Sequence, residues 1–181
     1  MPVKDNSANM INSMSSFTRI REYYQGLEDF MLDFKIEKIT NLMMIDISHL
    51  IMESKEGGFC FIERLVNDYK NGANTFNKRG EGLYGVFNEK GVLIAIGGIN
   101  IDPYSKDPEI GRLRRFYVLK EYRRKGIGRF LVNQILFAAR RTFIEVVLKT
   151  DTDDGDWFYT SLGFSKSIGD PNSTHHIRLK I

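Results

Sequence analysis

With a single cysteine, Cys60, the 181-residue chain cannot close a disulfide within itself, which excludes a small secreted scaffold held by cross-links. No stretch approaches the roughly 18 apolar residues that cross a membrane. The start, Met1-Pro2-Val3-Lys4-Asp5-Asn6-Ser7, lacks the apolar core of a signal peptide. A cytoplasmic protein without a membrane partner is therefore expected. Net charge is only +3, too little to argue by itself for a nucleic-acid partner. The histidines and the one cysteine stand at no metal-ligand spacing, so no metal is expected. What is present is 42% hydrophobic and 27% charged residues, the balance of a globular domain long enough to bury a core. Cys60, in the apolar run Phe59-Cys60-Phe61-Ile62, reads as a small buried hydrophobe.

Hydrophobic periodicity divides the chain. Residues 1–16 are polar and Asn/Ser-rich and read as a flexible tail, leaving 17–181 as one domain. A short helix through Tyr23, Leu27, Phe30 and Met31 is expected, then a strand over Lys35–Thr40. Met44, Ile47, Leu50 and Ile51 fall on one helical face, with the methionines as core filling. After Gly57-Gly58 a second helix carries Ile62, Leu65, Val66 and Tyr69, and residues 71–80 form a polar loop. Strands over residues 83–87 and 92–96 flank a hairpin turn at Asn88-Glu89-Lys90-Gly91. A strand from Ile110 to Leu119, a helix from Gly126 to Arg141 and a strand from Phe143 to Lys149 follow. A helix over Asp153–Leu162 ends at Gly163, and strands over 164–168 and 176–181 flank a turn at Gly169-Asp170-Pro171-Asn172. The order predicts an α/β fold, with a mixed, mostly antiparallel central sheet of about seven strands and helices on both faces.

The segment with the clearest chemistry is Arg123-Arg124-Lys125-Gly126-Ile127-Gly128-Arg129, between a strand and a helix. Glycines there let backbone N–H groups converge at the positive end of a helix, and the flanking basic side chains add charge, which suits a pyrophosphate. The spacing is neither G-x-x-x-x-G-K-[ST] nor G-x-G-x-x-G, since no Lys-Ser/Thr follows and residue 131 is Leu.

Two segments carry a family resemblance. Arg123, Gly126 and Gly128, with Val118 five residues before Arg123, match an Arg/Gln-x-x-Gly-x-Gly/Ala pattern, and Phe158-Tyr159-Thr160-Ser161-Leu162-Gly163-Phe164 matches an aromatic-Tyr-x-x-Leu-Gly-Phe run. In both, and in element order from Lys35 onward, the chain resembles the GNAT superfamily of N-acetyltransferases. The resemblance implies the GNAT-like acyl-CoA N-acyltransferase fold, acetyl-CoA as cosubstrate and an amine acceptor attacked directly. It implies that the backbone of Phe116, Tyr117 and Val118 bonds the pantetheine arm like an added strand, with the Val118 N–H facing the thioester oxygen. It implies that Arg123, Arg124, Lys125, Gly126, Ile127, Gly128 and Arg129 hold the pyrophosphate. Tyr159 would protonate the departing thiolate, or else pack the helix onto the sheet.

The chain departs from the family in two places. Thr152 stands where an Asn often contacts the pantetheine, and it can bond there or cap the following helix. Arg112 stands where well-known branches carry a Glu base. By strand parity with Phe116 and Val118 it is expected to face the acceptor and favour one with an anionic group; otherwise it lies on the surface or pairs with Glu109 or Asp107. No general base is nameable from the sequence. An inactive CoA-binding module of the same fold is the alternative function. A nucleic-acid binder using Arg112, Arg114, Arg115, Lys120, Arg123, Arg124, Lys125 and Arg129 ranks below both, and a homodimer stays open beside a monomer.

Overall fold

The computed structural model describes residues 33–179. The chain divides into a unit of Met1–Lys35 and a unit of Ile36–Ile181, and the second holds all that follows beyond the start of the first strand. The expected tail through residue 16 and the helix through Tyr23 to Met31 lie outside the described residues. Strand β1 (Phe34–Lys38) leads through a 3-10 turn at Leu42–Met44 to helices α1 (Ser48–Glu56) and α2 (Phe61–Lys70). Strands β2 (Gly82–Asn88), β3 (Leu93–Ile101) and β4 (Ile110–Val118) precede α3 (Ile127–Ala139). Then come β5 (Glu145–Leu148), α4 (Asp153–Ser161), β6 (Ser165–Lys166) and β7 (His175–Arg178). The strands form one sheet in the order β1-β2-β3-β4-β5-β7-β6. β4–β5 is parallel, whereas β2–β3, β3–β4, β5–β7 and β6–β7 are antiparallel.

Two consecutive glycines of β3 show why helices cover both faces, because successive strand residues point to opposite sides. A Cβ on Gly97 would meet Phe116 and, from α3, Ile135 and Leu131. A Cβ on Gly98 would instead collide with the ring of Phe76, from the loop after α2. α3 buries Ile127, Leu131, Val132, Ile135, Leu136 and Ala139, and α2 buries Ile62, Leu65 and Val66, as the three-and-four spacing requires.

Two irregularities of β4 shape the site. Ile96 pairs with Tyr117 and Gly98 with Arg114, so one residue of β3 faces two of β4, a bulge at Arg115-Phe116. Arg115 holds a φ of 56°, a left-handed conformation uncommon outside glycine. The second irregularity is the parting of β4 from β5. Their pairing runs only from Ile110↔Glu145 to Arg112↔Val147. Beyond it β5 stays with β7 and β4 stays with β3 as far as Ala95↔Val118. A wedge therefore opens between the two middle strands, with Leu113 to Val118 along one lip.

Several sequence expectations are corrected here. Met43, Met44 and Met52 are exposed, Met44 at 82%, so they fill no core. The 3-10 turn and the later helix start rotate Met44 away from the face that Ile47 and Leu50 bury. Cys60 is exposed, because the run containing it crosses the start of α2 and only Ile62 turns inward. The loop over residues 71–80 is not wholly polar in its packing, since Phe76 is buried at a φ of 54° and fills the space that Gly98 leaves.

Candidate functional site

The lip of the wedge presents backbone groups ready to bond. Leu119 N–H donates to the Ile94 carbonyl at 3.0 Å across the Ala95↔Val118 pair. In an antiparallel ladder, residues flanked by such bonds turn their own N–H and C=O away from the partner strand. The Val118 N–H therefore faces the wedge, whereas the Tyr117 backbone turns toward β3. Tyr117 also points its side chain to the α1/α2 face, where its hydroxyl donates to Glu53 Oε1 at 3.0 Å. Burial, joined by that bond, pushes its phenol up to about 12. Of the three residues expected to line the pantetheine, Val118 thus turns its backbone to the wedge, Phe116 lies in the bulge on the same lip, and the Tyr117 backbone turns toward β3.

At the wide end of the wedge the chain turns into α3. Gly126 is the residue before the helix and holds a φ of 85°, which a side chain disfavours. The first intrahelical bond runs from Phe130 N–H to the Gly126 carbonyl at 2.9 Å, so the N–H groups of Ile127, Gly128 and Arg129 have no intrahelical acceptor. Arg124 precedes them in a left-handed conformation, φ 59°. The result is a concave row of donors at a helix's positive end, the arrangement that holds a phosphate. Gly128 has a packing reason of its own: a Cβ there would lie 3.1 Å from the Phe158 ring.

The basic side chains of the segment divide their work. Arg123 Nε donates to the Val118 carbonyl at 2.9 Å, and its guanidinium stands 5.1 Å over the Tyr117 ring, which pins the loop to the strand. Arg129 reaches the Ser161 carbonyl and hydroxyl and ties α3 to the end of α4. Lys125 lies over the Tyr122 ring, and Arg124 makes only an exposed contact with Asp154 at 3.6 Å. Arg124 and Lys125 are thus the side chains best placed to add charge to the row.

Tyr159 lies on α4 beneath the wedge, buried among the rings of Phe116, Phe158, Phe164 and His175 at centroid distances of 5.0–6.2 Å. Burial pushes its phenol well above the ordinary value. Its hydroxyl makes no hydrogen bond within the described residues, yet it is not among the polar atoms sealed from solvent. Tyr159 therefore packs α4 onto the sheet and also presents a free donor. Thr152 caps α4, accepting from Gly155 N–H at 3.1 Å.

Arg112 occupies neither place expected of it. Its Nε donates to Asp102 Oδ1 at 2.6 Å and its Nη1 to the Asn172 carbonyl at 2.9 Å. Both charged side chains are buried, at 6% and 8% exposure, and the partner is Asp102, not Glu109 or Asp107. The bulge explains the failed register argument, for one extra residue between Arg114 and Tyr117 places Arg112 on the face opposite Phe116. Breaking such a pair leaves a buried charge uncompensated, at a cost of about 3–5 kcal/mol. Asp102→Ala is therefore expected to lose about that much stability, measured as a lower urea midpoint at unchanged slope.

With the geometry in place, the comparisons with known proteins can be given. Residues 81–166 match the family model of the acetyltransferase (GNAT) domain. No curated protein matches the chain. Among solved structures, a protein of Exiguobacterium sp. 255-15 assigned as an acetyltransferase is similar at 27% identity and a TM-score of 0.73, over 81% of this chain and 93% of that one. An acetyltransferase of the GNAT family from Staphylococcus aureus Mu50 gives 18% identity and a TM-score of 0.64, over 81% and 99%. A GNAT-family N-acetyltransferase of Escherichia coli, solved in complex with CoA, gives 16% and 0.62, over 82% of each chain. Over residues 81–166 the chain carries the acetyltransferase (GNAT) domain, and the fold around it is similar to that of these acetyltransferases. The matched span runs from just before β2 through β6 and so contains the wedge, the α3 row of donors and Tyr159.

Proposed function

We propose that this protein is an N-acetyltransferase that moves an acetyl group from acetyl-CoA to a primary amine by direct attack. One observation carries the reading: an unpaired strand edge, Leu113 to Val118, that leads straight into the N–H row at Gly126 to Arg129. A pantetheine arm has amides that can pair with such an edge as a peptide strand does, and it ends in a pyrophosphate that suits the row. Acetyl-CoA supplies the acetyl group as an activated thioester. The N–H groups from Ile127 to Arg129, with Arg124 and Lys125, hold its phosphates, and Phe116 and Val118 align its arm. The Val118 N–H is positioned to bond the thioester oxygen. The ammonium first loses a proton to water. The free amine then forms the new C–N bond as the C–S bond breaks, and the Tyr159 hydroxyl donates a proton to the departing sulfur. The second proton, shed by the acylated nitrogen, returns through water to the Tyr159 oxygen.

The reading is tested by calorimetry with acetyl-CoA and by thiol release over a panel of amines. Binding together with amine-dependent release of thiol is expected, and absence of acetyl-CoA binding would overturn the reading. The raised Tyr159 phenol adds a pH signature. An acid that must stay protonated and whose pKa lies above its ordinary value remains competent across the neutral and mildly alkaline range. Turnover is therefore expected to show no falling limb below about pH 10. A descending limb centred near pH 8 would count against Tyr159 as the acid.

A further inference from the structure

The face of β4 that looks toward α1 and α2 carries more positive charge than its own neighbours answer. Directly paired antiparallel residues share a face. Arg112 pairs with Asn100 and Arg114 with Gly98, whose missing Cβ points at Phe76 on this side. Arg115 joins them through the bulge, and its Nη2 donates to Asp68 of α2 at 2.8 Å. One turn before Asp68 on the same helix stands Arg64. Burial, followed by the charge of Arg114 and, more weakly, of Arg64, lowers the Arg115 pKa against the pull of Asp68. The guanidinium groups of Arg64, Arg114 and Arg115 are thus neighbours.

Their hydrogen bonding is incomplete. Asp102 and the Asn172 carbonyl engage Arg112, but its Nη2 is sealed from solvent with no partner. Asp68 engages Arg115, but its Nε is likewise buried and unpartnered. Arg114 is half-buried and makes no ion pair or side-chain hydrogen bond among the described residues. Buried donors are normally satisfied, so the unsatisfied N–H groups of Arg112 and Arg115, with the unpaired Arg114, leave this face short of acceptors. CoA's pyrophosphate is accounted for at the other end of the lip, beyond Val118. This cluster instead stands three to six residues before Val118, on the face of β4 that looks toward α1 and α2.

We propose that the acceptor carries an anionic group, a carboxylate or a phosphate, close to the amine that is acetylated, and that Arg114, beside Arg115, holds it. The inference rests on the acetyltransferase reading above. Arg114 is its principal specificity residue, because Arg112 and Arg115 are already committed to Asp102 and Asp68.

The test uses matched acceptors: α-amino acids against their amides, and O-phosphoethanolamine against ethanolamine, each with acetyl-CoA and the full chain. The anionic member of at least one set is expected to have the higher kcat/KM by about tenfold or more, mostly through KM. The first set reports a carboxylate site and the second a phosphate site. In Arg114→Gln that preference should collapse toward unity, and Arg114→Lys should restore part of it. Equal use of charged and neutral members by the native protein overturns the inference. So does a preference that survives Arg114→Gln in a variant with the native urea midpoint. If no anionic amine is acetylated, the inference also fails, and calorimetric binding of acetyl-CoA then tells whether the proposed transfer reaction fails with it.

Discussion

Tyr159→Phe is expected to lower turnover by about 10²–10⁴-fold while leaving acetyl-CoA affinity nearly unchanged, the loss that general acid catalysis leaves when its proton donor is removed. The substitution keeps the ring, and with it the contacts to Phe116, Phe158, Phe164 and His175. It removes a hydroxyl that bonds to nothing else in the described chain, so no partner is orphaned and the urea midpoint should hold. Steady-state rates with saturating amine and calorimetry with acetyl-CoA separate the two effects. Turnover within about twofold of the native protein would return Tyr159 to packing alone.

Gly126→Val is expected to weaken acetyl-CoA binding by about a hundredfold. Two effects combine at this residue. A branched side chain at φ 85° costs about 1–2 kcal/mol of backbone strain, and it projects into the space where the phosphate would meet the N–H row. Loss of one charge-assisted bond with part of the helix-end field amounts to about 3 kcal/mol, which is about a hundredfold in Kd. Gly126→Asn separates strain from obstruction, because a short polar side chain tolerates the left-handed conformation. It should keep the native urea midpoint and still bind acetyl-CoA weakly. Native affinity in a folded Gly126→Asn protein would remove the phosphate from this loop. Gly128 is the poorer test, since any side chain there also presses on Phe158.

Much of the site was legible because its chemistry is local in sequence. The glycines at 126 and 128 and their basic neighbours lie within one loop, and a strand before and a helix after are enough to turn their N–H groups together. Phe158 to Phe164 was readable for the same reason, with Gly163 ending α4 at a φ of 93°. Thr152 announced its capping role by standing before three acids in the first turn of α4. The methionines of residues 43–52 misled because periodicity assumes one unbroken helix, and the 3-10 turn reset the phase.

Arg112 shows where local reasoning stops. Parity along β4 predicted its face correctly only for a regular strand, and nothing in Arg114-Arg115-Phe116 signals that Gly97 opposes two residues rather than one. The bulge depends on how β3 fits β4, and Asp102 becomes the partner of Arg112 only once the end of β3 folds beside it. By itself, then, the sequence determined the order of elements, the glycine-bearing basic loop before α3 and the tyrosine of α4, since each follows from neighbours along the chain. The tertiary structure alone decided the wedge, the face of every β4 arginine and the unanswered charge around Arg114. Those depend on strand register and on where β4 parts from β5, which are set by packing between residues far apart in sequence.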